Sequence, residues 1–346
     1  MDQTVSCSVC GKGFEPRFRF QVSGEEGRPV FFCSQACRAE HLSAAVTCRS
    51  CGTRFTVEFP YQVVARRGEQ HYYCSMACRG QRAARREPRV IAVFNHKGGT
   101  GKTTTSVNIA AALAEAGRRV LLIDADGQGN VGASLGIRGE RTLYDVIVSG
   151  TDANAASVPV RNNLDVLTSN ETLAAAELYL ASRPARHRVL RQRLSDRASS
   201  YDYVIVDCAP ALSLMNQNVL VCANAVLVPV SCDYLSLIGV KQVLRTLSQV
   251  RDSLGHRVEL FGVLPTFFDV RNKIAKEALD ALVEGFGERC LPPVRVNTRL
   301  REAPRARQTI FEYAPNSSGA SDYLELAQRI LAAPIAEATT PRAVAS

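Results

Sequence analysis

Eight cysteines form two quartets, Cys7, Cys10, Cys33, Cys37 and Cys48, Cys51, Cys74, Cys78, offset by 41 positions. A glycine-rich loop follows them, Lys97-Gly98-Gly99-Thr100-Gly101-Lys102-Thr103-Thr104. Each group carries its own chemistry. Four thiolates from a C-x2-C turn and a C-x3-C turn make a soft tetrahedral donor set suited to Zn2+. In the loop, glycines let backbone amides curl around phosphate oxygens, and a helix N-terminus adds positive potential. Lys102 can then reach the outer phosphates, and the Thr103 hydroxyl can ligate Mg2+. A glycine-rich structural turn is the plainer alternative for the loop.

The compartment bears on the thiols. The chain has 346 residues, with no apolar run of 18, and the start MDQTVSCSVC lacks a charged stretch followed by an apolar one. A cytoplasmic protein with reduced thiols is expected, so twelve cysteines point to metal before disulfides. The formal charge is +9. Eight thiolates and two Zn2+ would bring it to about +5, a mild lean toward anionic partners.

Shifting residues 7–41 by 41 positions gives thirteen identities in 35 places, against about two for unrelated sequences. This is an internal duplication. Beyond the cysteines it repeats Gly11/Gly52, Phe14/Phe55, Phe18/Phe59, Gln21/Gln62 and the aromatic pairs Phe31-Phe32 and Tyr72-Tyr73. Gly11 and Gly52 can take the positive φ that turns amides toward the sulfurs. Ser34 and Ser75 are N-cap types, which puts Cys37 and Cys78 in a helix's first turn. His41 and His71 do not recur between the copies, so an all-cysteine site in each is expected. Units of about 40 residues cannot hold together by burial alone, which makes the metal part of their folding energy. The expected modules span 1–43 and 44–86. They resemble treble-clef-like zinc fingers of the TRASH and MYM type, through the FFCS and YYCS segments at 31–34 and 72–75. Such fingers bind proteins or nucleic acids, and the ligand stays open.

Residues 79–89 hold five arginines and one acid. They read either as a solvated helix end broken at Pro88 or as a phosphate-contacting arm.

From residue 87 to 335, apolar strands are expected at 90–94, 120–123, 164–167, 203–206, 225–230 and 260–264, with helical patterns between most of them. This is an α/β fold, a mostly parallel, doubly wound sheet with ligands at the strands' C-terminal ends. Residues 336–346 are expected to be a disordered tail. Cys208, Cys222, Cys232 and Cys290 read as buried small hydrophobes.

The loop departs from the ordinary P-loop: His96 takes the place of the first glycine, and Lys97 precedes Gly98. With NHKGGTGKTTT at 95–105, VLLIDADGQGN at 120–130, YVIVDCAP at 203–210, VPVSCDY at 228–234 and NTRLREAP at 297–304, the chain resembles the ParA/Soj partition ATPases over about residues 89–333. That resemblance implies a P-loop ATPase that uses ATP and Mg2+, pairs as a homodimer with ATP between the copies, binds DNA non-specifically, and is stimulated by a ParB-like partner. It implies a cytoplasmic, nucleoid-associated location. It assigns Lys97 to the partner's phosphates, and Lys102 and Thr103 to the P-loop roles. It also assigns Asp126 to orienting the attacking water, Asp207 to Mg2+ through water, Asp124 to the metal shell or a strand-end cap, and Asp269 and Arg271 to adenine. Departures from its pattern are His96 for glutamine, Gly127 for proline, Cys208-Ala209-Pro210 for Cys-Pro-Pro, and Arg295-Val296 for Pro-Arg.

Residues 295–307 carry Arg295, Arg299, Arg301, Arg305 and Arg307 against Glu302. In the resembled family Arg299 matches a DNA-surface arginine, and dimerisation would double the patch. A solvated basic loop is the plainer reading. No membrane role is expected, because residues 334–346 lack an amphipathic pattern. A zinc-finger adaptor using the ATPase fold as a switch is the alternative function.

Overall fold

The computed structural model describes residues 4–23, 30–38, 46–48, 53–66, 69–83, 88–194, 200–233 and 236–333. The chain parts into two compact units, Met1–Arg85 and Arg86–Ser346.

The first unit carries its duplication into structure. In each copy a short hairpin opens the repeat with the same register, Val5 opposite Phe14 and Val46 opposite Phe55. A second hairpin pairs Val22 with Phe31 in one copy and Val63 with Tyr72 in the other. Gln21 and Gln62, both buried, staple the loop between these hairpins. The Gln21 Oε1 accepts the N–H of Arg17 and Phe18 at 2.7 and 2.8 Å, while Nε2 donates to the Cys33 carbonyl. Gln62 does the same with Glu58, Phe59 and Cys74. The repeated glutamine therefore ties the aromatic segment to the second pair of ligands.

In the second unit seven strands form one sheet: β1 (Arg89–Val93), β2 (Val120–Ala125), β3 (Val158–Arg161), β4 (Leu164–Leu167), β5 (Tyr203–Cys208), β6 (Ala225–Ser231) and β7 (Glu259–Thr266). Their order is β3-β4-β2-β5-β1-β6-β7, parallel except for the edge strand β3. Central strands buried on both faces read as unbroken apolar runs, and β1, β2 and β5 are buried throughout. Alternate residues divide the core: Ile91 and Val93 face helices α1 (Lys102–Glu115) and α7 (Ser318–Ala332). Val90, Ala92 and Phe94 face the layer of α2 (Leu173–Ala181), α3 (Val189–Leu194), α4 (Leu214–Cys222), α5 (Ser236–Leu254) and α6 (Lys273–Phe286).

Two features differ from the sequence reading. The edge strand β3 adds to the expected strands, and Arg89 belongs neither to a solvated helix end nor to a phosphate-contacting arm. Arg89 is buried, donates to the Ile330 carbonyl at 3.1 Å and lies over the Phe261 ring, fastening α7 to β1. Of the four other cysteines, Cys208 is buried and Cys222, Cys232 and Cys290 are half-buried. Linker residues 84–87 and tail residues 334–346 lie outside the described residues.

Candidate phosphate loop and metal centres

Parallel β1, β2, β5 and β6 end on one edge, and α1 starts there. Between β1 and α1, Gly99 and Gly101 adopt φ of 72° and 84°, a region that costs other residues a Cβ clash. Gly101 directly precedes the helix. Its first residue, Lys102, is buried, and its Nζ donates to the Lys97 carbonyl at 3.0 Å, folding the side chain back over the loop. Burial lowers its pKa, and the nearby Asp207 carboxylate opposes that. A buried ammonium above helix-terminal amides is an anion receptor.

Beside it, Thr103 Oγ1 donates to Asp207 Oδ2 at 2.7 Å, and Ser106 Oγ donates to Oδ1 at 2.9 Å. Asp207, at the end of β5, is buried and its pKa rises to about 6 through burial, against the two hydroxyl bonds and Lys102. Asp124 stands beside Asp207 in the sheet register. Its pKa rises to about 8, by burial first and then by Asp207. Both of its oxygens accept backbone N–H groups, from Asp126 at 3.1 Å and Val131 at 3.0 Å, so it fixes the turn that carries Asp126. Asp126 is partly exposed and accepts the Gln128 N–H. A hydroxyl and a carboxylate converging next to an ammonium fit a hard cation bound to phosphate oxygens.

Nothing in the local sequence singles out Asn95, Ser106 or Asp233. Asn95, buried, holds the loop's start: its Oδ1 accepts the Lys97 N–H at 3.0 Å and its Nδ2 donates to the Pro229 carbonyl. The Lys97 ammonium meets Asp233 Oδ2 at 2.5 Å. His96 turns away from the loop, edge-on to Phe94 and 2.8 Å from Thr246 Oγ1, with its pKa lowered by burial and then Lys102.

A cleft opens beside Gly101 and Thr104, walled by Phe267, Val296, Leu300 and Tyr323. Asp269 and Arg271 lie nearby in sequence but not on its wall; they pair with each other, Nη2 to Oδ2 at 2.8 Å, and the guanidinium holds the Asp269 carboxyl at about 2. Arg299 pairs with Glu302 at 2.9 Å and Arg295 with Asp322. Arg301 and Arg305 are exposed, with no carboxylate partner among the described residues.

In the first unit the sulfurs of Cys7, Cys10, Cys33 and Cys37 lie within 4.8 Å of one another, as do those of Cys48, Cys74 and Cys78; Cys51 lies outside the described residues. Tetrahedral Zn–S bonds of about 2.3 Å put sulfurs about 3.8 Å apart. The contacts Cys10–Cys33 at 3.5 Å, Cys33–Cys37 at 3.6 Å and Cys74–Cys78 at 3.5 Å fit that donor set. Ser34 and Ser75 hydroxyls accept the N–H of Cys37 and Cys78, as helix caps do. Backbone N–H groups of Cys10 and Cys33 lower the Cys7 pKa to about 6, and the Cys33 thiol is pushed up to about 12, chiefly through Cys10. Four crowded thiols cannot all ionise without a cation among them.

Comparison with known proteins places these features. Residues 88–260 match the AAA domain family, and residues 210–346 match 4Fe-4S iron sulfur cluster binding proteins of the NifH/frxC family. Among the described residues, however, groups of three or more metal-ligating side chains lie only in the first unit. The sporulation initiation inhibitor protein Soj of Bacillus subtilis is 38% identical over 249 residues, 70% of this chain and 98% of Soj. The chromosome partitioning protein ParA of Caulobacter vibrioides is 39% identical over 250 residues, 70% of this chain and 94% of that protein. Among solved structures, cobyrinic acid a,c-diamide synthase from Mycobacterium smegmatis with bound ATP analog and magnesium is 35% identical, with a TM-score of 0.61 over 70% of this chain and 94% of that one.

Proposed function

We propose a function from one premise: this chain belongs to the ParA/Soj family of P-loop ATPases, and it is an ATPase. On our reading it forms an ATP-dependent sandwich dimer, binds DNA without sequence preference, and positions DNA or another cargo, with hydrolysis stimulated by a ParB-like partner. The observation that carries this reading is the junction of β1, β5 and α1. There the buried Lys102 ammonium and the Thr103–Asp207 pair at 2.7 Å meet a loop whose two left-handed glycines turn it into the helix N-terminus.

In this reading the loop amides and Lys102 hold the β- and γ-phosphates. When bound, Mg2+ would offset the phosphate charge; the Thr103 hydroxyl would hold it directly and Asp207 through water, with Ser106 keeping the carboxylate aimed. Asp126 orients the attacking water, from a turn that Asp124 fixes. The cleft by Phe267 and Val296 takes the base; Asp269 and Arg271, expected to do so, do not line it. Lys97 leaves Asp233 to cross to the other copy's phosphates, so nucleotide and pairing are linked. Arg299, Arg301 and Arg305 contact DNA phosphates, and pairing doubles them on one molecule. The two cysteine quartets each hold one Zn2+. Among the described residues no helix is long and apolar enough to cross a membrane.

The test is DNA retention with ATP, ADP or no nucleotide, for the native chain and Lys97→Ala. Retention by the native chain should be strongest with ATP, and that ATP-dependent gain should be lost in Lys97→Ala. Equal retention under every condition would remove the gating. The adaptor reading is favoured instead if a chain lacking residues 1–86 keeps ATP-dependent DNA binding but loses its cargo.

A further inference from the structure

A second cationic surface lies at the other end of the sheet. Residues 183–195 contain Arg183, Arg186, Arg188, Arg191 and Arg193, and no acid. Local contacts fix where they sit. The Arg188 Nη2 reaches the carbonyl of Leu254, the last residue of α5, at 3.5 Å. The Arg191 Nη1 lies 3.4 Å from His256 Nδ1, and His256 Nε2 lies 3.0 Å from the Ala223 carbonyl. Next along the chain, Asn224 accepts the N–H of Val90 at the start of β1 and, through its carbonyl, that of Glu259 at the start of β7. The cluster therefore sits at the strands' N-terminal ends, whereas the phosphate loop, Asp207 and the 295–305 arginines lie at their C-terminal ends. Strands of five to eight residues separate the two ends by roughly 16–26 Å.

The plain explanation is structural capping, and it accounts for part of the cluster. Arg193 is partly buried against the Ile147 carbonyl, and Arg186 touches the Ala181 carbonyl at the end of α2. Each of these contacts uses one N–H of a guanidinium that has five. Arg183, stacked on the Tyr179 ring at 4.4 Å, Arg186 and Arg188 are exposed, and none has a carboxylate partner among the described residues. The local field is positive. His187 and His256 are lowered by burial first, and then by Arg186 and Arg188 in one case and Arg188 and Arg191 in the other.

We propose that Arg183, Arg186 and Arg188 form a second duplex-DNA backbone site at the N-terminal ends of the strands, independent of nucleotide, so that one chain can bridge two DNA segments. Planar guanidinium forks match phosphate oxygens. Leu178 is the one large exposed apolar side chain among the described residues of α2, α3 and the segment between them. That is too little to insert into a membrane or to form the apolar centre of a protein interface. The inference goes beyond the gated site proposed above and survives that site's failure.

The experiment uses the full chain without nucleotide and a labelled 60-base-pair duplex of arbitrary sequence, followed by fluorescence anisotropy across a salt series. Each lost phosphate contact flattens the salt slope by about 0.9. The variant Arg183→Ala/Arg186→Ala/Arg188→Ala should flatten it by about 2.7, or about 40-fold in affinity over a fourfold salt change. The matching triple lysine variant should keep most of the slope. With ATP added, capture of free duplex on duplex-coated beads should require both this cluster and Arg299, Arg301 and Arg305. Three results overturn the proposal: an unchanged slope in the triple alanine variant, a lysine variant as weak as the alanine one, or loss of binding to phosphatidylserine vesicles with duplex binding intact. Loss of ATP-dependent retention alone would concern the other site.

Discussion

Lys97 does not stand free: its ammonium lies 2.5 Å from Asp233 Oδ2, and Ser231 Oγ donates to the same oxygen at 2.8 Å. If this lysine has to cross to a second copy, the ion pair opposes pairing and its removal should favour it. The side chains of Lys97 and Asp233 are 45% and 40% exposed. Solvent therefore screens the pair, and a value of about 0.3–1 kcal/mol applies rather than that of a buried contact. Each copy must release one such contact. Asp233→Asn keeps the shape and removes the charge, and at RT of about 0.6 kcal/mol it should tighten the dimer roughly 3- to 30-fold for two releases. Sedimentation of the native chain and Asp233→Asn with a non-hydrolysable ATP analogue, at low and at 0.5 M salt, measures this. The gain should shrink with salt and vanish when Lys97 is also alanine. A dimer that is unchanged, or weaker, in Asp233→Asn would show that the contact does not hold Lys97 back.

Two further outcomes follow from the same geometry. Metal analysis should find two zinc ions per chain; a strong chelator should unfold the first unit while the thermal transition of the second stays put, because thiolate ligation supplies folding energy only where the sulfurs converge. For pH, the His256 pKa is depressed by burial first, so the unfolded chain protonates it before the folded one does. Its stabilising contribution is present above about pH 6.5 and is lost as pH falls. Melting temperatures of the native chain and His256→Asn between pH 8 and 5 should converge at the acid end, and a gap independent of pH would refute the shift.

Local spacing made the chemistry legible. Cysteine quartets, the phosphate loop and carboxylates at the ends of apolar strands are patterns within a few residues, and parallel strands buried on both faces announce themselves as continuous apolar runs. β3 carries no such run because Val158-Pro159-Val160-Arg161 is half-exposed and holds a proline, which an edge strand tolerates and a central one does not. Contacts between distant positions were invisible for a different reason. In sequence Arg89 is one more charge in a basic linker; Phe261 and the Ile330 carbonyl reach it from positions 172 and 241 residues away. Lys97 and Asp233 are 136 positions apart, joined only because β1 and β6 are neighbours. The same adjacency puts Pro229 within reach of Asn95, which fixes the loop's start. Residue types thus disclose which reactions a chain can support, whereas the contacts that restrain those residues arise from strand order, which no local period encodes.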